Sequence, residues 1–427
     1  MRTTTSLTIV LLTLLCQSVL SQQNPFPAEN ELINAKAGDL ILKSGAYQDR
    51  KAEYGILVVP ENRDKAESRL IHLPVIRLCA TAPQPLEPVF FLQGGPGASC
   101  LSADMPEWIH AEHDFVMVGY RGVDGSVSLD IPELQTAIPS AYPLSTASLQ
   151  AIGNAMCAGF ERLKAQGIEL DHYSMVDVVD DLEAARSALG YNKINLWSHS
   201  YGTQVAYVYC VRHPQSIHLN MVTGASAPGW TAVWEPAMVD RQLYYYAHLW
   251  KQDSTCVKRS SDLIATIVKV LKTLPITWAN VVIDPDKVKI VMYNMLFNTG
   301  TAAQVFDAFV TAEQGDYGGL AFLSLTFDLK MKNRLNAGDF ALKILTSGDV
   351  NPQRDWETEM NPPNSIIGSP MSLFNWGPLK YCRFPIQTIP RIYRDSPTTV
   401  RTLVVNGHPD FSSPLELTQE ILMPLLT

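Results

Sequence analysis

The chain has 427 residues, with 42 Asp and Glu against 33 Lys and Arg, for a formal net charge of −9 at pH 7. Apolar residues make up 46% of it, enough to build a large packed core, which excludes a disordered chain. The acidic excess is spread along the sequence, and no basic stripe is interleaved with aromatics, which argues against nucleic acid as a partner.

Met1-Arg2 opens the chain, and an apolar run from Leu7 to Leu20 ends at Ser21, before polar Gln22-Gln23-Asn24. The run is too short to span a bilayer comfortably and has the layout of a secretory signal peptide over residues 1–21. The expectation is a secreted or periplasmic protein with no stable membrane association. An uncleaved anchor is the alternative; a lipoprotein reading through Cys16 is weaker, because Leu14-Leu15 lack the small side chains that site needs. No later stretch is long and apolar enough to cross a membrane.

Residues 22–225 alternate strand-like and helix-like segments. Strands are predicted near Glu53 to Val59, Leu70 to Leu78, Val89 to Leu92, Phe115 to Gly119, Ile194 to Leu196 and Leu219 to Val222. Three strands in succession followed by alternation predict an antiparallel start leading into a parallel sheet. Residues 226–395 read as mainly helical, with the aromatic run Leu243 to Trp250 and Pro-rich turns at Asn361-Pro362-Pro363 and Gly377-Pro378. This segment interrupts the core as a cap, and the core resumes over residues 396–427.

Three motifs carry chemistry. In Trp197-Ser198-His199-Ser200-Tyr201-Gly202-Thr203, a strand feeds a small-x-Ser-x-Gly turn and a helix follows. A turn that sharp lifts the Ser200 hydroxyl to the carboxyl edge of a sheet, at a helix N-terminus. Upstream, Pro88 to Leu92 runs into Gln93-Gly94-Gly95-Pro96-Gly97, where glycines let the backbone aim N–H groups at a developing oxyanion. The plainer reading of this loop is an ordinary Gly-Pro turn. Near the end, Thr402 to Gly407 is a strand and turn, followed by His408-Pro409-Asp410. Asp410 is either a catalytic acid or the cap of the helix that starts near Pro414.

The order of these motifs, with Gly119-Tyr120-Arg121-Gly122-Val123-Asp124-Gly125-Ser126 and the helix Asp181 to Tyr191, resembles the proline iminopeptidase and tripeptidyl aminopeptidase group of serine peptidases. The resemblance implies an α/β class chain with the α/β-hydrolase fold: a mostly parallel central sheet with a helical cap insertion, and no cofactor. It implies Ser200 as nucleophile, the N–H groups of Gly95 and Tyr201 as oxyanion hole, Asp410 as acid, and small peptide substrates. Acids in the cap would hold a peptide's amino terminus; by position alone the candidates are Glu235, Asp240, Glu313 and Asp316. The chain departs from the pattern at Gln93 (usually His), Ser198 (usually Gly) and Gly119 (often Asp). No His follows Asp410. Of the nine histidines, His408 alone has a loop near the active edge, and His199 is expected to point away from it. The simpler expectation is a sequence truncated before the catalytic His, with Thr402 to Asn406 left as an exposed edge. An esterase on the same fold and a non-catalytic binding protein stay open. Epoxide and haloalkane hydrolases are disfavoured, because they need Asp where Ser200 stands.

Without Cys16, six cysteines remain. Cys79 and Cys210 sit in apolar stretches and read as buried thiols; Cys100, Cys157, Cys256 and Cys382 are bridge candidates. No pair has metal-ligand spacing. Oligomeric state is left open.

Overall fold

The computed structural model describes residues 24–330, 335–351, 353–382 and 387–427; the predicted signal segment lies outside them. Eight strands form one sheet in the order β1-β2-β3-β5-β4-β6-β7-β10. They are β1 Leu40–Tyr47, β2 Arg50–Pro60, β3 Leu70–Leu78, β4 Leu86–Leu92, β5 His113–Val118, β6 Ile194–His199, β7 Ile217–Thr223 and β10 Thr402–Val405. A small hairpin of β8 Ile276–Trp278 and β9 Val281–Ile283 stands apart. β1, β2, β3 and β5 pair antiparallel in turn. β4 pairs parallel with β5 and β6, β6 with β7, and β7 with β10. The antiparallel start and parallel continuation follow the sequence pattern, and β1 is an addition to it.

The central strands are apolar on both faces because helices cover them. Phe90, Phe91 and Leu92 of β4 and Val116 to Val118 of β5 are buried. The helices Thr146–Ala165, Met175–Ala188 and Gly202–Arg212 supply buried Leu149, Met156, Phe160, Val179, Leu182, Val205 and Val208. Ser145 caps the first of them by accepting from Ser148 N.

Between β7 and β10 the chain is mainly helical. Its longer helices are Pro236–Gln252, Leu263–Leu271, Pro285–Met295, Thr299–Glu313, Gly318–Lys330, Ala337–Ser347 and Pro370–Trp376. Phe411, just past β10, packs with Tyr246 and Tyr293 of this region, at ring separations of 5.9 and 5.7 Å. A disulfide joins Cys157, on the Thr146–Ala165 helix, to Cys382. Two of the four bridge candidates therefore pair. Cys256 keeps a free thiol, and so does Cys100, which is buried and donates to Phe91 O at 3.2 Å.

The segment around Tyr120 proves structural. Arg121 is fully buried; its Nε and Nη2 donate to the two oxygens of Asp181 at 2.6 and 2.7 Å. Its Nη1 donates to the carbonyls of Glu61 and His172. The guanidinium thus pins the end of β5 to the Met175–Ala188 helix, and removing one partner of such a buried pair costs about 3–5 kcal/mol.

Candidate active site

Ser200 sits at the end of β6 with φ +52°, a left-handed conformation that a non-glycine residue adopts only under constraint. Its N–H donates to Thr223 O at 3.1 Å, and its carbonyl accepts from Thr203 Oγ1 at 2.6 Å. The next helix begins at Gly202, where a Cβ would lie 2.2 Å from Leu92 O, so only glycine lets the elbow press against β4. Ser198 fits in place of the usual glycine because its hydroxyl is buried and donates to Met221 O at 3.1 Å.

The glycine loop lies against the elbow. A Cβ at Gly94 would come within 2.8 Å of Ser200 Cβ. Gly95 has φ +125°, a conformation open to glycine, and a Cβ there would lie 3.1 Å from Ala98 N. Gln93 holds its own loop: its Oε1 accepts from Gly94 N at 2.8 Å and its carbonyl accepts from Tyr120 Oη at 3.2 Å. Among the described residues, neither Gly95 N–H nor Tyr201 N–H donates to a protein acceptor. Two free donors therefore flank Ser200, one of them at a helix N-terminus, where backbone dipoles favour negative charge.

Asp410 follows β10. Its Oδ1 accepts from Ser412 N and Ser413 N, both at 2.8 Å, and its carbonyl accepts from Gln242 Nε2. Burial pushes the carboxyl above its ordinary range, while those N–H groups and the nearby His199 pull the other way. Both Asp410 and His199 face Gly224: a Cβ there would lie 3.3 Å from Asp410 Oδ2 and 3.6 Å from His199 Cε1. His199 therefore does not point away, as the sequence suggested. The residue lines the same cavity as Ser200, and its Nδ1 lies 3.4 Å from Thr223 Oγ1. His408 is exposed and stacks on Tyr245, with ring centres 5.8 Å apart and planes 16° apart, and it does not line the cavity.

The cavity has a volume of about 960 Å³. Its walls include Trp230, Trp234, Phe297, Phe340, Phe374 and Trp376, and Asp130 is the one carboxylate among the described lining residues. None of the four cap acids lines it. Glu235 is bidentate with Arg354, Asp240 accepts from Ser365 and Ile366, Glu313 pairs with Lys269, and Asp316 accepts from Gly318 N.

Residues 87–252 match a family described by the alpha/beta hydrolase fold. Two curated relatives share part of the chain. Serine protease Hip1 of Mycobacterium tuberculosis is 26% identical over 193 residues, 41% of this chain and 36% of its own. Tripeptidyl aminopeptidase of Streptomyces coelicolor is 27% identical over 215 residues, 46% of this chain and 39% of its own. The chain thus spans little more than a third of the curated relatives it matches. A serine hydrolase structure from the bacterium Cycloclasticus zankles aligns over 91% of this chain and 88% of its own, at 11% identity and a TM-score of 0.32. The matched family and the strand order agree: the chain has the α/β-hydrolase fold.

Proposed function

We propose that the protein is an exported serine hydrolase that releases residues or short peptides from peptide amino termini. Ser200 Oγ attacks the substrate carbonyl, and the oxyanion so formed accepts hydrogen bonds from Gly95 N–H and Tyr201 N–H. The serine proton passes to a histidine that Asp410 orients, and from there to the departing amine; water then hydrolyses the acyl-enzyme. The observation that carries this reading is Ser200 in a left-handed turn between two free N–H donors. Each such donor contributes about 3 kcal/mol to the transition state. The Cys157–Cys382 bridge supports an oxidising compartment, in keeping with the amino-terminal export pattern.

His199, whose ring lies near Asp410, is the candidate proton acceptor among the described residues; if it does not serve, the chain is an impaired homologue. A second reading, ester hydrolysis, is favoured by the cavity walls, which are aromatic and offer one exposed carboxylate to a substrate ammonium. A panel of chromogenic aminoacyl amides, short peptide amides and acyl esters separates the two. In the Ser200→Ala variant, hydrolysis and labelling by a fluorophosphonate are expected to fall at least about 1000-fold, with unchanged thermal unfolding. Full activity in that variant rules the nucleophile out, and turnover confined to esters rules out the peptidase reading.

A further inference from the structure

The helix Ala337–Ser347 belongs to the cap region by sequence, yet its first turn is inserted behind the glycine loop. Asp339 and Lys343 on this helix are both fully buried, with Lys343 Nζ 2.6 Å from Asp339 Oδ1. The other oxygen, Asp339 Oδ2, accepts from Gly97 N at 3.0 Å. Gly97 O accepts from Asn336 N at 3.0 Å, so both polar groups of one loop residue are held by the start of this helix. Asn336 Nδ2 also donates to Gly122 O, and Lys343 Nζ donates to Arg121 O, each at 3.0 Å. The ammonium lies 5.1 Å from the centre of the Tyr120 ring, whose hydroxyl holds Gln93 O.

Two glycines leave room for this insertion. A Cβ at Gly97 would lie 2.5 Å from Asn336 O, and one at Gly122 would lie 2.6 Å from Asp339 Oδ1. The glycine loop and the Tyr-Arg-Gly segment, far apart in sequence, therefore meet on the same carboxylate. A buried ion pair contributes little net stability compared with apolar side chains of similar size. Its effect here is geometric: a charged acceptor on Gly97 N–H fixes the loop that carries Gly95.

We infer that Asp339, held by Lys343, is a positioning residue that sets the Gly94–Gly97 loop over Ser200 and so aims the Gly95 N–H at the oxyanion. This rests on the reading of Ser200 as nucleophile, and the test keeps the two apart. The full chain is compared with Asp339→Leu/Lys343→Met, which removes both charges and the acceptor while keeping an apolar fill, and with Asp339→Asn/Lys343→Met, which restores a neutral acceptor. Hydrogen exchange of the peptide over residues 93–101 and the rate of fluorophosphonate labelling are read in all three. In the Leu/Met variant, exchange over 93–101 is expected to rise at least tenfold, while the peptides of β6 and the Gly202–Arg212 helix keep their protection. Labelling is expected to slow at least tenfold, and the Asn/Met variant recovers most of both. Unchanged exchange in the Leu/Met variant overturns the inference, as does a rise spread evenly over the fold or an Asn/Met variant no better than Leu/Met. Labelling of the parent that survives Ser200→Ala overturns the nucleophile instead, while the exchange arm still decides on the loop.

Discussion

Around Ser200 the backbone is packed so closely that a methyl group has no place at Gly202 or Gly94, whereas in the turn that leads to Asp410 a Cβ at Gly407 would meet only Pro409, at 3.7 Å. The Ser200 side takes its geometry from backbone pressed on backbone: β4 on the elbow, the glycine loop on Ser200, and the Ala337–Ser347 helix on the loop. The Asp410 side takes its geometry from side chains: Phe411 is buried against Tyr246 and Tyr293, Ser412 and Ser413 donate to the carboxylate, and Gln242 donates to the Asp410 carbonyl. Close packing fixes position within a fraction of an ångström because it leaves no alternative arrangement.

The sharpest way to break this contrast is to place the same substitution on both sides. Gly202→Ala drives a methyl into Leu92 O and is expected to cost about 4 kcal/mol, by overpacking that only backbone movement relieves. Gly407→Ala is expected to stay within about 0.5 kcal/mol. Urea midpoints of the two variants measure the difference, and similar losses would mean that the two sides are equally tight.

Next in size is the disulfide. Cys157 sits on the helix whose Ile152 and Met156 line the cavity, and a Cβ at Gly153 would lie 2.6 Å from Pro378 O. The bridge closes a sequence separation of 225 residues. Cys157→Ser is expected to lose about 3 kcal/mol. Reductant should lower the unfolding midpoint of the parent by a similar amount and leave that of the variant unmoved. A variant that still responds to reductant would point to a different pairing.

Acid titration separates the two sides by sign. Asp180 accepts from Arg212, the last residue of the elbow helix; burial acts to raise its pKa, but His213 and Arg212 outweigh burial and hold it at about 2. A folded-state pKa below the unfolded one contributes stability above about pH 4 that is lost as pH falls toward 2, here about 2 kcal/mol. Asp410 is shifted the other way, so the folded state prefers its protonated form, and that preference is lost as pH rises through the raised pKa. Asp180→Asn should therefore flatten the acid limb of a stability profile. Asp410→Asn, which keeps an acceptor for Ser412 and Ser413, should raise stability at neutral pH while hydrolysis falls. A loss of stability in Asp410→Asn would show that the carboxylate is held as tightly as Asp180.

How much of this was legible in the sequence follows the same division. The elbow, the glycine loop and the strands feeding them are local devices, in which a few adjacent residues specify a turn, and they stand where the sequence suggested. β1 is not legible in the sequence because Leu40 to Tyr47 has no clean alternation: it lies at a sheet edge with neither face fully buried. The pair Asp339 and Lys343, four residues apart on a helix, reads in sequence as an ordinary exposed ion pair. Only the tertiary insertion of that helix buries it. His199, the last residue of β6, is exposed as the alternation along that strand gives, and its ring reaches Gly224 and Asp410 at the ends of the neighbouring strands, which the alternation alone does not show. The cap acids were proposed by position alone, and the fold ties each to a partner outside the cavity.

The smallest expected effect on stability lies at the sheet edge itself. β10 pairs with β7 on one side and, among the described residues, has no strand on the other. Leu403 and Val405 are 52% and 51% exposed, and Leu219 on the neighbouring strand is 36% exposed. By register Leu403 lies beside Met221 and Val405 beside Thr223, so the exposed side chains of β10 share a face with Leu219 and Met221 of β7. An open strand edge beside an apolar face is a template for association. Since these side chains already contact water, Leu403→Lys with Val405→Lys is expected to change unfolding stability by no more than about 0.5 kcal/mol. Sedimentation velocity should show concentration-dependent association of the parent and a single slower species for the double variant. Equal association of the two would place the contact elsewhere, and a large loss of stability in the variant would mean that the edge is held as firmly as the elbow.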